Sequence, residues 1–122
     1  MTAEFTAPYR HAAAELALEP LPLDPDQIVE GEPATFGVTL FERNGVECGV
    51  WEITPGVATD VEEQEVFLVI SGSATIEIEG GPTLEVGPGD VGALRRGDRT
   101  TWRVHETLRK LYVIDSRADA AA

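Results

Sequence analysis

The chain has 122 residues, 43% of them apolar, which suits one domain with one core. Its 22 acidic against 9 basic residues give a formal charge of −13, which repels phosphate backbones and anionic lipid and argues against nucleic-acid or membrane-surface partners. With one cysteine there is no intrachain disulfide. No positively charged start followed by an apolar stretch occurs, nor any apolar run long enough to span a bilayer, so the cytoplasm is the expected compartment.

Residues 1–35 read as an N-terminal arm. RHAAAELALE (10–19) has the alanine, leucine and glutamate content of a short helix, and Pro20, Pro22, Pro25 and Pro33 stop any continuation. LPLDPDQI (21–28) is expected to run extended over the surface of the remainder. FGVTLFER (36–43) and VECGVWEI (46–53), joined by Asn44-Gly45, form the clearest hairpin, because both turn residues tolerate positive φ. After Thr54-Pro55-Gly56 and an acidic stretch from Asp60, EVFLVI (65–70) is a continuous apolar run. ATIEIE (74–79) alternates, with Ala74, Ile76 and Ile78 on one face. Ser71-Gly72-Ser73 between them is read as a hairpin turn. Glycine-proline turns then set off a short LEV strand and VGAL (91–94). Thr100, Trp102 and Val104 share one face of the next strand, and LRKLYVI (108–114) follows. Eight or nine short strands without a substantial internal helix predict an all-β fold, a small antiparallel barrel or sandwich over 36–117, with a core drawn from Phe67, Val69, Ile76, Ile78, Trp102 and Val104. The Ala-rich end, 118–122, is expected to fray.

Glu65 followed by Gly72, then Pro88-Gly89-Asp90, Gly97 and the tail TTWRVHETLRKLYVI, resembles the paired motifs of the cupin superfamily. The branch it is similar to is the short single-domain one that includes ethanolamine-utilisation and ureidoglycine-type relatives. The resemblance covers about residues 46–115 and implies a double-sheet β-barrel of the jelly-roll kind. It also implies where a metal would sit. Metal-binding cupins place three histidines and a glutamate around one ion; here the corresponding positions are Thr59, Val61 and Thr100, so that only Glu65 remains. The resemblance therefore implies no metal and no other cofactor. An oxygen-only site from Glu62, Glu63 and Glu65 is disfavoured because neighbouring residues on a strand face opposite ways, and Glu62 and Glu63 are read as solvated.

The residues expected to line a ligand pocket are Glu65, Thr59, Thr100, Trp102, Lys110 and Tyr112, with Glu65 the candidate acid-base group. Lys110 and Tyr112 share a strand face, and a lysine turned toward aromatic walls suits a small polar or anionic ligand. Trp51 is either a further wall or core. Arg95 and Arg96 are expected in surface ion pairs, His11 and His105 at the surface, and Cys48 as a buried apolar side chain. Three functions fit these residues: a metal-free small-molecule-binding or accessory protein; an enzyme of isomerase, lyase or hydrolase type using Glu65 with Lys110 or Tyr112; and a dimeric scaffold. Binding is favoured over catalysis. EVFLVI is apolar on both faces, so a homodimer is expected, with the second copy covering the outer one.

Overall fold

The alternating segments are realised as strands throughout. The computed structural model describes residues 5–117 and contains, among them, nine: β1 (Glu19–Pro20), β2 (Ile28–Glu30), β3 (Thr35–Arg43), β4 (Val46–Ile53), β5 (Gly56–Val61), β6 (Gln64–Ile78), β7 (Thr83–Val86), β8 (Val91–Leu94) and β9 (Arg99–Asp115). Every pairing is antiparallel. β9 is the spine. Its first half lies between β5 and the second half of β6, and its second half between β4 and the first half of β6. Because these two long strands are shared, the sheet curls into two layers, β1-β3-β4-β9-β6-β8 and β2-β5-β9-β6-β7, an antiparallel half-barrel of the jelly-roll type. Among the described residues no helix is long and apolar enough to cross a membrane.

The core lies between the layers. Ile53, Phe67, Val69 and Leu108 face Ala58, Ala74, Ile76, Ile78, Trp102 and Val104, and all six residues expected in the core are buried. Full burial of each such side chain is worth roughly 1.5–3 kcal/mol. The β3-β4 hairpin forms as expected, with Asn44 at φ 52° and Gly45 at φ 83° joining Arg43 to its partner Val46.

Ser71-Gly72-Ser73 is not a hairpin turn. β6 runs straight through it, and residues on both sides pair with the same strand, Phe67 with Tyr112 and Ile76 with Trp102. A two-residue reversal of the Asn44-Gly45 kind needs positive φ at both positions, whereas here Gly72 alone has it, at 84°. The three residues form a bulge, with register shifts between Val69 and Ala74, that turns the strand from one layer into the other. A Cβ on Gly72 would stand 2.0 Å from the Thr107 carbonyl oxygen.

The arm also differs from expectation. In place of a helix over 10–19 there is one 3-10 turn, Ala13–Glu15, and the Arg109 guanidinium donates to the Ala13 and Leu16 carbonyls at 2.9 and 3.0 Å. Arg109 thereby supplies the donors that further helical turns would have provided. LPLDPDQI is not uniformly extended, because Asp24 caps a second 3-10 turn, Pro25–Gln27, through a capping box. On either side, β1 pairs with β3 and β2 with β5, so the arm adds an edge strand to each layer and crosses between them. The first four residues of the arm and the tail 118–122 lie outside the described residues.

Candidate functional site

At one end of the half-barrel the layers enclose a cavity of 280 Å³, lined among others by Trp51, Asp60, Glu62, Glu65, Trp102 and Lys110. β5, the β5-β6 break and the start of β6 supply Thr59, Asp60, Glu62, Glu63 and Glu65 to its lining, and β9 adds Trp102, Lys110 and Tyr112. These three are even-numbered and inward, as is Thr100, which lies buried behind Glu62. Leu23 and Gln27 of the arm close part of the mouth, and Gln27 is fixed there by donating Nε2 to the Thr59 carbonyl at 3.0 Å.

Lys110 is the only lysine in the sequence, and its side chain is 6% exposed. Its Nζ donates to Glu65 Oε2 at 2.5 Å, and Glu65 is as deeply buried. The ammonium also lies 4.7 Å from the ring centroids of Trp51 and Phe67 and 4.8 Å from that of Trp102. The rings hold one another: Trp51 meets Trp102 edge-on at 5.5 Å, and Phe67 lies 6.0 Å from Trp102. A desolvated charge pair needs such complete partnership to be tolerated. Burial raises the Glu65 carboxyl above its ordinary pKa, against the opposing pull of Lys110.

Glu62, expected in solvent, is buried. Its Oε2 accepts from the Thr100 hydroxyl at 2.6 Å and from the Trp102 indole N–H at 3.1 Å. It occupies the break between β5 and β6, where strict alternation lapses, so it and Glu65 both turn inward. Glu63 is exposed as expected, 4.0 Å from Arg96. Asp60 pairs with Thr100 and lies on the same face, exposed at the mouth of the cavity; partial desolvation, and then Glu62, push its carboxyl up to about 6. Tyr112 closes the other side, its hydroxyl donating to Glu47 Oε2 at 2.5 Å; burial and then Glu47 raise its pKa.

Of the three positions that correspond to the family's histidines, Thr59 and Val61 border the cavity and Thr100 is buried behind Glu62. Ala58 and Asp60 oppose Trp102 and Thr100, Ala58 buried and Asp60 exposed at the mouth; Val61 is 56% exposed, and half-buried Thr59 lines the cavity with its hydroxyl donating to the Gln27 carbonyl. No imidazole lies at any of these positions. His11 packs on Tyr9 and His105 contacts Thr75, both at the surface, while Arg95 pairs with Asp98. Among the described residues no group of three or more His, Cys, Asp or Glu is disposed to hold a metal ion. Glu62 is committed to Thr100 and Trp102 and Glu65 to Lys110, so the residues present do not fit the cupin ion.

Of the six residues sequence reasoning brought forward, Glu65, Thr59, Trp102, Lys110 and Tyr112 border the cavity, and Thr100 stands behind it, bonded to Glu62. That reasoning missed Asp60, Glu62, Phe67 and Gln27. The solitary lysine, flanked in β9 by apolar inward positions, was the readable signal for an interior charge needing an acidic partner.

No curated protein matches the sequence. Solved structures do. EutQ of Clostridium difficile is 21% identical with a TM-score of 0.59 over 66% of this chain, which spans 61% of EutQ. A Pseudomonas syringae protein of unknown function is 27% identical, TM-score 0.73, over 82% of this chain and 45% of its own. Ectoine synthase of P. lautus is 21% identical, TM-score 0.59, over 76% and 71%. The model of the EutQ-like cupin domain matches residues 41–112, from the β3-β4 hairpin to the Tyr112 that closes the cavity, and the chain belongs to that family of the cupin superfamily.

Proposed function

We propose that this cupin is a cytoplasmic binding protein that takes a small polar molecule into the cavity, without a metal ion, and assembles as a homodimer. The cavity itself carries the reading: 280 Å³ is the liquid volume of about nine waters, enough for a compact metabolite, and its walls join aromatic faces to a few fixed polar groups. Charge narrows the ligand. The expectation of an anion rested on an open ammonium at Lys110, but Lys110 is bonded to Glu65, leaving the carboxylates of Asp60 and Glu62 as the uncompensated charge of the wall. A neutral amide or an amine suits this wall better than a carboxylate. Homodimer formation is supported by the outer face of β6, β8 and β9, where Val66, Leu68, Val91 and Val113 form an exposed apolar band. Cys48 has no second cysteine to pair with, which suits a reducing compartment.

The experiment is a thermal-shift and calorimetric screen of small amides, amines and carboxylates against wild type, Asp60→Asn and Glu65→Gln. A ligand of this site at 100 times its Kd stabilises wild type by about 2.7 kcal/mol, and Asp60→Asn weakens an amine selectively. Turnover of a bound compound would move the reading to an enzyme using Glu65. A broad screen without any response would leave the scaffold.

A further inference from the structure

We infer that Lys110 is the resident cation of this barrel, its ammonium filling the place beside the one carboxylate that the metal-binding pattern retains, in a box that accepts an alkylammonium group in preference to a divalent metal. Three independent features carry this. Glu65, the surviving family ligand, spends its Oε2 on Nζ at 2.5 Å. The other sides of the charge are ring faces, Trp51, Phe67 and Trp102, at 4.7, 4.7 and 4.8 Å to the centroids. Such faces attract a cation through their quadrupole but offer no lone pair, and a divalent metal needs several donors in its shell. Finally, among the described residues no buried side-chain nitrogen or oxygen lacks a partner, so no orphaned buried group marks a missing ion.

The sequence is arranged to keep this charge single. Every other cationic side chain apart from histidine is an arginine, whose planar fork is too large for the box, and Lys110 sits at the register point where Trp51 of β4 and Val69 of β6 flank it. Gly92 contributes from outside: a Cβ there would come within 2.3 Å of the Phe67 ring, so the bare backbone is what lets that ring lie against the ammonium.

Lys110→Ala deletes a propylammonium group, which makes propylammonium the probe, with 1-propanol as its uncharged control and manganese, nickel and zinc as competitors. Expected are a rise in the unfolding temperature of Lys110→Ala with propylammonium, at least about tenfold more effective than propanol and exceeding any rise in wild type or in Lys110→Ala/Glu65→Gln, and no uptake of the metals by wild type. If Lys110→Ala does not fold alone, its refolding yield with propylammonium against propanol reads the same preference. Wild type gives a second measurement. With 15N-lysine labelling the chain yields one side-chain ammonium signal, expected to exchange slowly with water and to lie upfield under three ring currents. One equivalent of divalent metal bound by wild type and lost in Glu65→Gln would overturn the inference. So would equal rescue by propanol, failure of propylammonium to stabilise or refold the variant, or a free-lysine ammonium signal.

Discussion

Glu62→Ala is the perturbation whose cost the geometry states most directly. The carboxylate holds two buried donors, the Thr100 hydroxyl at 2.6 Å and the Trp102 indole at 3.1 Å, and is itself 5% exposed. Each orphaned donor costs about 1–3 kcal/mol, and because the site adjoins a cavity that admits water the low half of that range applies, giving about 3 kcal/mol for the pair. Removing a like charge beside Asp60 and Glu65 returns up to about 1 kcal/mol, so the net loss is about 2–3 kcal/mol, or roughly 8–12 °C in Tm for a domain of this size. Glu62→Gln keeps an acceptor for both donors and loses the charge assistance, about 1 kcal/mol. The assay is urea unfolding at neutral pH followed by tryptophan fluorescence, because the Trp102 environment changes with the same bond. Glu62→Ala within about 0.5 kcal/mol of wild type, with unaltered emission, would refute the reasoning, since surface substitutions fall in that band.

Asp60 makes stability pH-dependent in a defined direction. Its folded pKa of about 6 stands above the ordinary 3.8, so the folded state binds the proton more tightly and this residue's contribution falls as pH rises from about 4 to 6. Asp60→Asn should therefore gain on wild type above pH 6 and not below pH 4, as a Tm difference measured across that range. Gly72→Ala places a Cβ 2.0 Å from the Thr107 carbonyl at φ 84° and should lose about 3 kcal/mol or more in urea unfolding; near-neutrality would contradict the bulge. Leu68→Asp, on the outer apolar band, should halve the mass that light scattering gives for wild type while leaving the Tm of the monomer unit within a few degrees; a wild-type monomer at micromolar concentration would remove the dimer.

The fold was legible because period-two alternation and turn chemistry are local. Asn44-Gly45 and the inward series Thr100, Trp102, Val104 each announce themselves within a few residues. Ser71-Gly72-Ser73 was not, because a bulge and a turn draw on the same residue types, and what separates them is whether the following strand pairs with the preceding one or, as here, with the distant β9. The arm failed for a related reason: the helix propensity of its alanines and leucines is a weak preference, and one guanidinium from β9 bonding two of its carbonyls outweighs it.

The site was half legible for a reason of charge rather than pattern. Glu62, Glu63 and Glu65 are chemically interchangeable in a sequence, and alternation allots Glu62 and Glu65 to opposite faces; only the interruption between β5 and β6 turns both inward. What decides their fates is the partner each meets: Arg96 at the surface, two neutral donors in the wall, one ammonium at the centre. A buried carboxylate left without a partner would take up a proton, and a buried ammonium left without one would lose it, so in each case the fold must supply the partner along with the position. The partner of Glu65 lies 45 residues away in the chain and reaches it only because β9 runs beside β6 from Gln64 to Ile78. The same long strand therefore builds the half-barrel and carries its only lysine to the centre, beside the carboxylates that β5 and β6 bring there.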